Sequence, residues 1–191
     1  MQGFHGYGLP LAFALALLVG TGAEAQTINV VSQKPKTKLE AFEALTSTVV
    51  LKGYQAIGSV PGDGSVAVEC IELTDTSTGK RQTGLVIEVK GSGKAEAERR
   101  VYIDFDEIGP LVQGIDRIFK VTAASTKLAN FEASYRTKGD FKVTTFGSAD
   151  KVEASVKTGS YGGSAARFST SKLADLRALI AEAKQRLDSS E

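Results

Sequence analysis

The sequence predicts an α+β fold: a curved antiparallel sheet of about eight strands, covered by a mid-chain helix and a long C-terminal helix. Three observations predict it. Apolar residues alternate at period two through two long blocks, glycine-rich turns cut those blocks into short strands, and each block ends in a run with helical spacing. At 42% apolar and 24% charged residues the composition is that of a globular domain rather than a disordered chain.

The first 25 residues read as a cleavable signal peptide. Leu9 to Gly20 is apolar and uncharged, and Ala23-Glu24-Ala25 supplies the small residues of an A-x-A cleavage pattern before Gln26. Met1 to Gly8 holds no Lys or Arg, so the reading rests on run length and cleavage pattern. A spanning helix needs roughly 20 apolar residues; this run is shorter and no basic stop follows it, so no membrane span is expected after cleavage. Residues 26–36 form a flexible leader with at most one edge strand at Ile28 to Val31, and residues 37–191 a single α+β domain. A mature chain of that length buries ~70% of its unfolded surface in one core.

Thr37-Lys38-Leu39-Glu40 spells a capping box, and Leu39, Phe42 and Leu45 follow at helical spacing, which predicts a short helix to about Thr46. Alternation then marks strands at Val49 to Ile57, closed by Pro61-Gly62-Asp63-Gly64, and at Val66 to Leu73. The second is apolar on both faces, as a central strand is. Gln82 to Lys90 and Arg99 to Phe105 follow, separated by Gly91-Ser92-Gly93. Ile108, Leu111, Val112, Ile115, Ile118 and Phe119 then take 3–4 spacing, with Asp106 as the predicted N-cap. Its replacement by Ala is expected to cost about 1 kcal/mol. Beyond a polar linker, strands are predicted at Phe131 to Thr137, Phe141 to Phe146, Val152 to Val156 and Ser164 to Phe168. A final helix begins after Ser171 and turns Leu173, Leu176, Ile180, Ala183 and Leu187 inward.

The two blocks suggest a tandem ββββα repeat, because Ile103, Asp106, Ile108, Leu111 and Ile115 align with Phe168, Ser171, Leu173, Leu176 and Ile180. The alternative topology is a four-plus-three sheet with a closing helix, similar to pleckstrin-homology-like domains.

Chemistry is bounded first by what cleavage removes. His5 is the only histidine and leaves with the leader, so the mature chain lacks a Ser-His-Asp or Cys-His pair and an imidazole zinc site. It keeps 23 basic and 21 acidic side chains, a net +2, which gives no reason to expect nucleic acid. Cys70, the one cysteine, alternates with Val66 and Val68 and reads as a small buried residue, so no intrachain disulfide forms. Asn29 and Asn130 lie outside any N-x-[ST] sequon. An exported chain of this kind suits a bacterial periplasm or cell exterior.

Ser169-Thr170-Ser171-Lys172 and Lys157-Thr158-Gly159 resemble the S-x-x-K and K-T-G elements of penicillin-binding proteins and class A β-lactamases. Here, however, the K-T-G stretch precedes the serine, S-D-N is missing, and the domain is too short. Gly91-Ser92-Gly93-Lys94 lacks the first glycine of a phosphate-binding loop, so no nucleotide cofactor is expected. The basic residues Lys34, Lys36, Lys38, Arg99, Arg100, Arg136, Lys138 and Lys142 are scattered among acids and read as solvated faces.

What remains is Tyr102, Asp104 and Asp106. Strand alternation sets them on one side, opposite Val101, Ile103 and Phe105, with Asp104 a solvated strand residue. They are the candidate ligand-binding residues. The expected function is a non-catalytic exported domain that binds a small ligand or an envelope protein. A carboxylate-based hydrolase centred on Asp104 and Asp106 and a carrier of a small apolar molecule are the alternatives.

Overall fold

The computed structural model describes residues 34–92, 98–159 and 163–189. The predicted signal peptide and most of the leader lie outside them. Helix α1 (Lys38–Glu43) begins at the expected capping box: the Glu40 amide donates to the Thr37 hydroxyl at 3.0 Å, and the Glu40 carboxylate accepts from the Thr37 amide at 3.2 Å. The helix stops three residues short of Thr46, and Leu45, expected inward, is 44% exposed.

Strands β1 (Val50–Gly62), β2 (Gly64–Asp75), β3 (Arg81–Lys90) and β4 (Glu98–Asp104) form one antiparallel sheet in chain order. Helix α2 (Phe105–Ile118) follows directly. A 3-10 turn, Ala123–Ser125, leads to β5 (Phe131–Arg136), β6 (Phe141–Gly147), β7 (Val152–Thr158) and β8 (Ala165–Ser169), a second antiparallel sheet in chain order. Helix α3 (Thr170–Asp188) closes the domain. The eight strands thus divide into two four-stranded sheets, neither the single sheet nor the four-plus-three arrangement expected. Among the described residues one backbone bridge joins them, in which Asp63 and Arg167 exchange both hydrogen bonds at 2.9 Å.

Register explains the core. Cys70 faces Leu85, Val68 faces Ile87, Val66 faces Val89, and Ile87 and Leu85 in turn face Val101 and Ile103. Those side chains meet Ile108, Leu111 and Ile115 of α2 and Leu173, Leu176 and Ile180 of α3. The second sheet adds Phe141, Val143, Ala154, Val156, Ala166 and Phe168 to the same core. Arg177 of α3 clamps Asp116 of α2 through two bonds of 2.9 and 2.8 Å. As expected, β2 is apolar on both faces: Ile71 and Leu73 point away from this core and, with Val86, pack beneath Leu39 of α1. Cys70 is buried on the opposite face, in the main core, its thiol pushed up to about 11 by burial.

Both helix starts lie two residues earlier than expected. Asp104, not Asp106, is the N-cap of α2, because β4 pairs with β3 only as far as Gly84 opposite Asp104. Ser169, not Ser171, caps α3, its hydroxyl accepting from the Lys172 amide at 3.4 Å. Lys172 pairs with Asp175 at 3.0 Å, so the S-x-x-K serine serves as a cap.

The β2–β3 turn is organised by Asp75, whose carboxylate accepts from the hydroxyls of Ser77 and Thr48 at 2.6 Å, the hydroxyl of Thr78 at 2.7 Å and the amide of Ser77 at 2.9 Å. These bonds, those of the Ser77 and Thr48 hydroxyls foremost, hold its pKa well below the usual carboxylate range. The folded value therefore lies below the unfolded one, near about 4. Its stabilisation is complete above that pH and lost as pH falls toward the folded value. Urea titrations at pH 7 and pH 3 should show a loss of stability on acidification that is smaller in Asp75→Asn than in the parent.

Candidate functional site

The stretch Asp104-Phe105-Asp106-Glu107 turns the chain from β4 into α2, and each of its carboxylates meets a different neighbour. Asp104 is 1% exposed. Its Oδ2 accepts from the Lys38 amide at 2.9 Å and its Oδ1 from the Leu39 amide at 3.0 Å. A buried carboxylate thus sits on the positive end of α1, 66 residues away in the chain, and satisfies two donors that a helix start leaves free. The expectation of a solvated Asp104 is overturned.

Gly84 makes the seat for α1. A side chain there would start 2.7 Å from Leu39 Cδ1 and 2.3 Å from the Ile103 carbonyl, so only glycine leaves Leu39 its place. Tyr102, two residues before Asp104 on the same face, donates its hydroxyl to the Glu43 carboxylate at the other end of α1. Burial, and then Glu43, push the phenol far above its usual value. Tyr102 and Asp104 therefore hold α1 by its two ends.

Asp106 lies apart from them, inside α2 with about half its side chain exposed. It meets Lys38 Nζ at 3.0 Å and Lys138 Nζ at 3.9 Å, and the bond from Lys38 keeps its carboxyl below the usual range. Glu107 is 8% exposed; its Oε1 accepts from the Lys138 amide at 2.9 Å, while Oε2 is buried without a partner. The β5–β6 hairpin is thereby fastened to the same corner.

Of the three predicted residues, Asp106 lines a cleft. This space, about 320 Å³, opens where the starts of α1 and α2 meet the start of β3 and the end of α3. Two ion pairs border it, Lys38 with Asp106 and Arg81 with Glu72 at 3.4 Å. Gln82 and Thr83 add an amide and a hydroxyl; Phe105 and Leu187 give it apolar surface. Lys184 stands 5.0 Å from the Phe105 ring centroid. Lys38, Glu72, Arg81 and Leu187 come from separate elements, and no local pattern marks them.

Chemically this is a place for charge pairing. A carboxyl that donates a proton near neutral pH needs a raised pKa, whereas Asp106 is lowered and Asp104 spends both oxygens on α1. Among the described residues, no group of three or more His, Cys, Asp or Glu side chains is placed to hold a metal ion, and no helix is long and apolar enough to cross a membrane. In comparisons with family models, curated proteins and solved structures the chain finds no match, so the geometry alone carries the functional argument.

Proposed function

We propose that the protein is an exported, non-catalytic binding module that takes a small zwitterionic ligand in the cleft beside Asp106. One observation carries this reading: two ion pairs face one small cleft that also has apolar walls. A ligand bearing both an anionic and a cationic group can exchange partners with Lys38–Asp106 and Arg81–Glu72, so no buried charge is left uncompensated. Three other clefts among the described residues also have charged walls, such as Glu69, Glu88 and Arg100 on the first sheet, which favours polar over apolar cargo.

Export rests on the apolar run and A-x-A pattern of residues 1–25. The intact mass of the protein from its own cells should begin at Gln26. A mass that includes Met1 rules out cleavage.

The element order supports a duplication. The two N-caps, Asp104 and Ser169, stand 65 residues apart, the offset at which Ile108, Leu111 and Ile115 align with Leu173, Leu176 and Ile180, all fully buried. The halves have since diverged, because α1 occupies the outer face of the first sheet alone.

Asp106→Asn tests the ligand reading. Native mass spectrometry of the parent protein, purified from its envelope, should show an added small mass that the variant loses. The urea midpoint of the variant should hardly change, since its ion pairs are solvent-exposed. Retention of the same mass by Asp106→Asn counts against the cleft.

A further inference from the structure

The outer face of the second sheet carries a row of cations that the linear sequence disperses. Register sets Arg136 opposite Lys142 and Lys142 opposite Lys157, with Arg167 one strand further, opposite Ser155. Directly opposed residues lie ~5 Å apart, and like charges so placed destabilise a sheet. Lys142 is relieved by Glu132 at 2.8 Å and Arg136 by Asp140 at 3.6 Å. Among the described residues, Lys157 and Arg167 have no acidic partner. Arg136, Lys157 and Arg167 are exposed, and among the described residues no helix covers this face as α1 covers its counterpart in the first sheet.

Between these cations lies a depression of about 280 Å³. Its walls hold more than charge: Thr144 and Ser155 bring hydroxyls, Phe146 an aromatic face, and Glu132 an acceptor carboxylate. A bare phosphate uses only the cations. A sugar ring uses all of these groups, with its hydroxyls on Ser155 and Glu132 and its apolar face on Phe146.

We propose that this face binds an acidic polysaccharide, one ring in the depression and its carboxylate or sulfate on Lys157 and Arg167. Neighbouring charges of the polymer follow the row across the strands, which are ~4.8 Å apart. The site is separate from the cleft beside Asp106 and does not depend on it.

The test measures binding of the purified protein to immobilised polygalacturonate and dextran sulfate, with neutral dextran and duplex DNA beside them. Both acidic glycans should bind and neutral dextran should not. The double variant Lys157→Gln/Arg167→Gln should weaken glycan binding by at least about tenfold, through loss of two anion contacts. The control Lys80→Gln/Arg99→Gln removes two exposed cations, one in the β2–β3 turn and one on β4, and should change it by less than about twofold, since net charge acts weakly at a distance. Circular dichroism checks that both variants are folded. Absence of glycan binding, equal losses in the two variants, or tighter retention on DNA than on either glycan each overturns the proposal.

Discussion

Asp104→Ala should unfold with a midpoint about 10 °C below the parent. The carboxylate is the sole partner shown for the Lys38 amide and the Leu39 amide at the start of α1. Each buried donor left bare costs about 1–3 kcal/mol, and loss of the negative charge from the helix start adds less than about 1 kcal/mol. Water reaches the Lys38 side of the helix more readily than the Leu39 side, so the net expectation is about 3 kcal/mol. In a domain of this size that corresponds to the stated shift. Asp104→Asn keeps one acceptor and turns an amide NH₂ toward the second donor, so roughly half the loss should remain. The damage should also reach Leu39, which seals Ile71, Leu73 and Val86 against water. Thermal denaturation followed by circular dichroism measures it. A variant as stable as the parent means that Asp104 does not anchor α1.

Gly64→Ala should cost a similar amount for a different reason. Gly64 adopts φ +93, and a Cβ there would start 2.4 Å from the Lys90 carbonyl and 3.0 Å from Ala166 Cβ. The neighbours are backbone and the second sheet, so neither can move aside cheaply. The residue lies next to Asp63, whose bridge to Arg167 links the two sheets. Backbone strain of about 1–3 kcal/mol and overpacking of about 1–3 kcal/mol together give an expected loss of about 3 kcal/mol. Gly79→Ala supplies the comparison. It has φ +69 with nothing within 4 Å, so it should show the backbone penalty alone, about 1 kcal/mol. Equal losses at the two positions contradict the packing of the β1–β2 tip against β8.

The local signals in this chain were legible. Thr37 and Glu40 form the box that their spacing predicts, and Leu173, Leu176 and Ile180 face inward at the spacing of one helical stripe. Both depend on neighbours within a few residues. The β4–α2 junction was not legible, and the reason is physical. Asp104-Phe105-Asp106-Glu107 offers two carboxylates two residues apart, each a competent N-cap, so local preference cannot choose between them. The choice is made by the register of β4 against β3 and by α1, which brings two bare amides to Asp104 from far along the chain. With Asp104 consumed there, Asp106 is displaced into the helix and toward the cleft. Lys38, Arg81 and Glu72 become its companions only through folding.

The division into two sheets escaped for the same reason. Eight alternating segments specify strands, but not whether β4 and β5 pair across an intervening helix. The cation row is also a product of register. Arg136 and Lys142 are near in sequence, whereas Lys157 and Arg167 join them only once β6, β7 and β8 are aligned.

The division of labour at this corner, with Asp104 holding α1 and Asp106 taking no part in that anchor, is tested most directly by amide hydrogen exchange at Lys38 and Leu39. The account predicts that both amides are protected by at least about 100-fold in the parent and in Asp106→Asn, and that Asp104→Ala abolishes this protection. Rapid exchange of these two amides in the parent, or their release by Asp106→Asn instead, contradicts it.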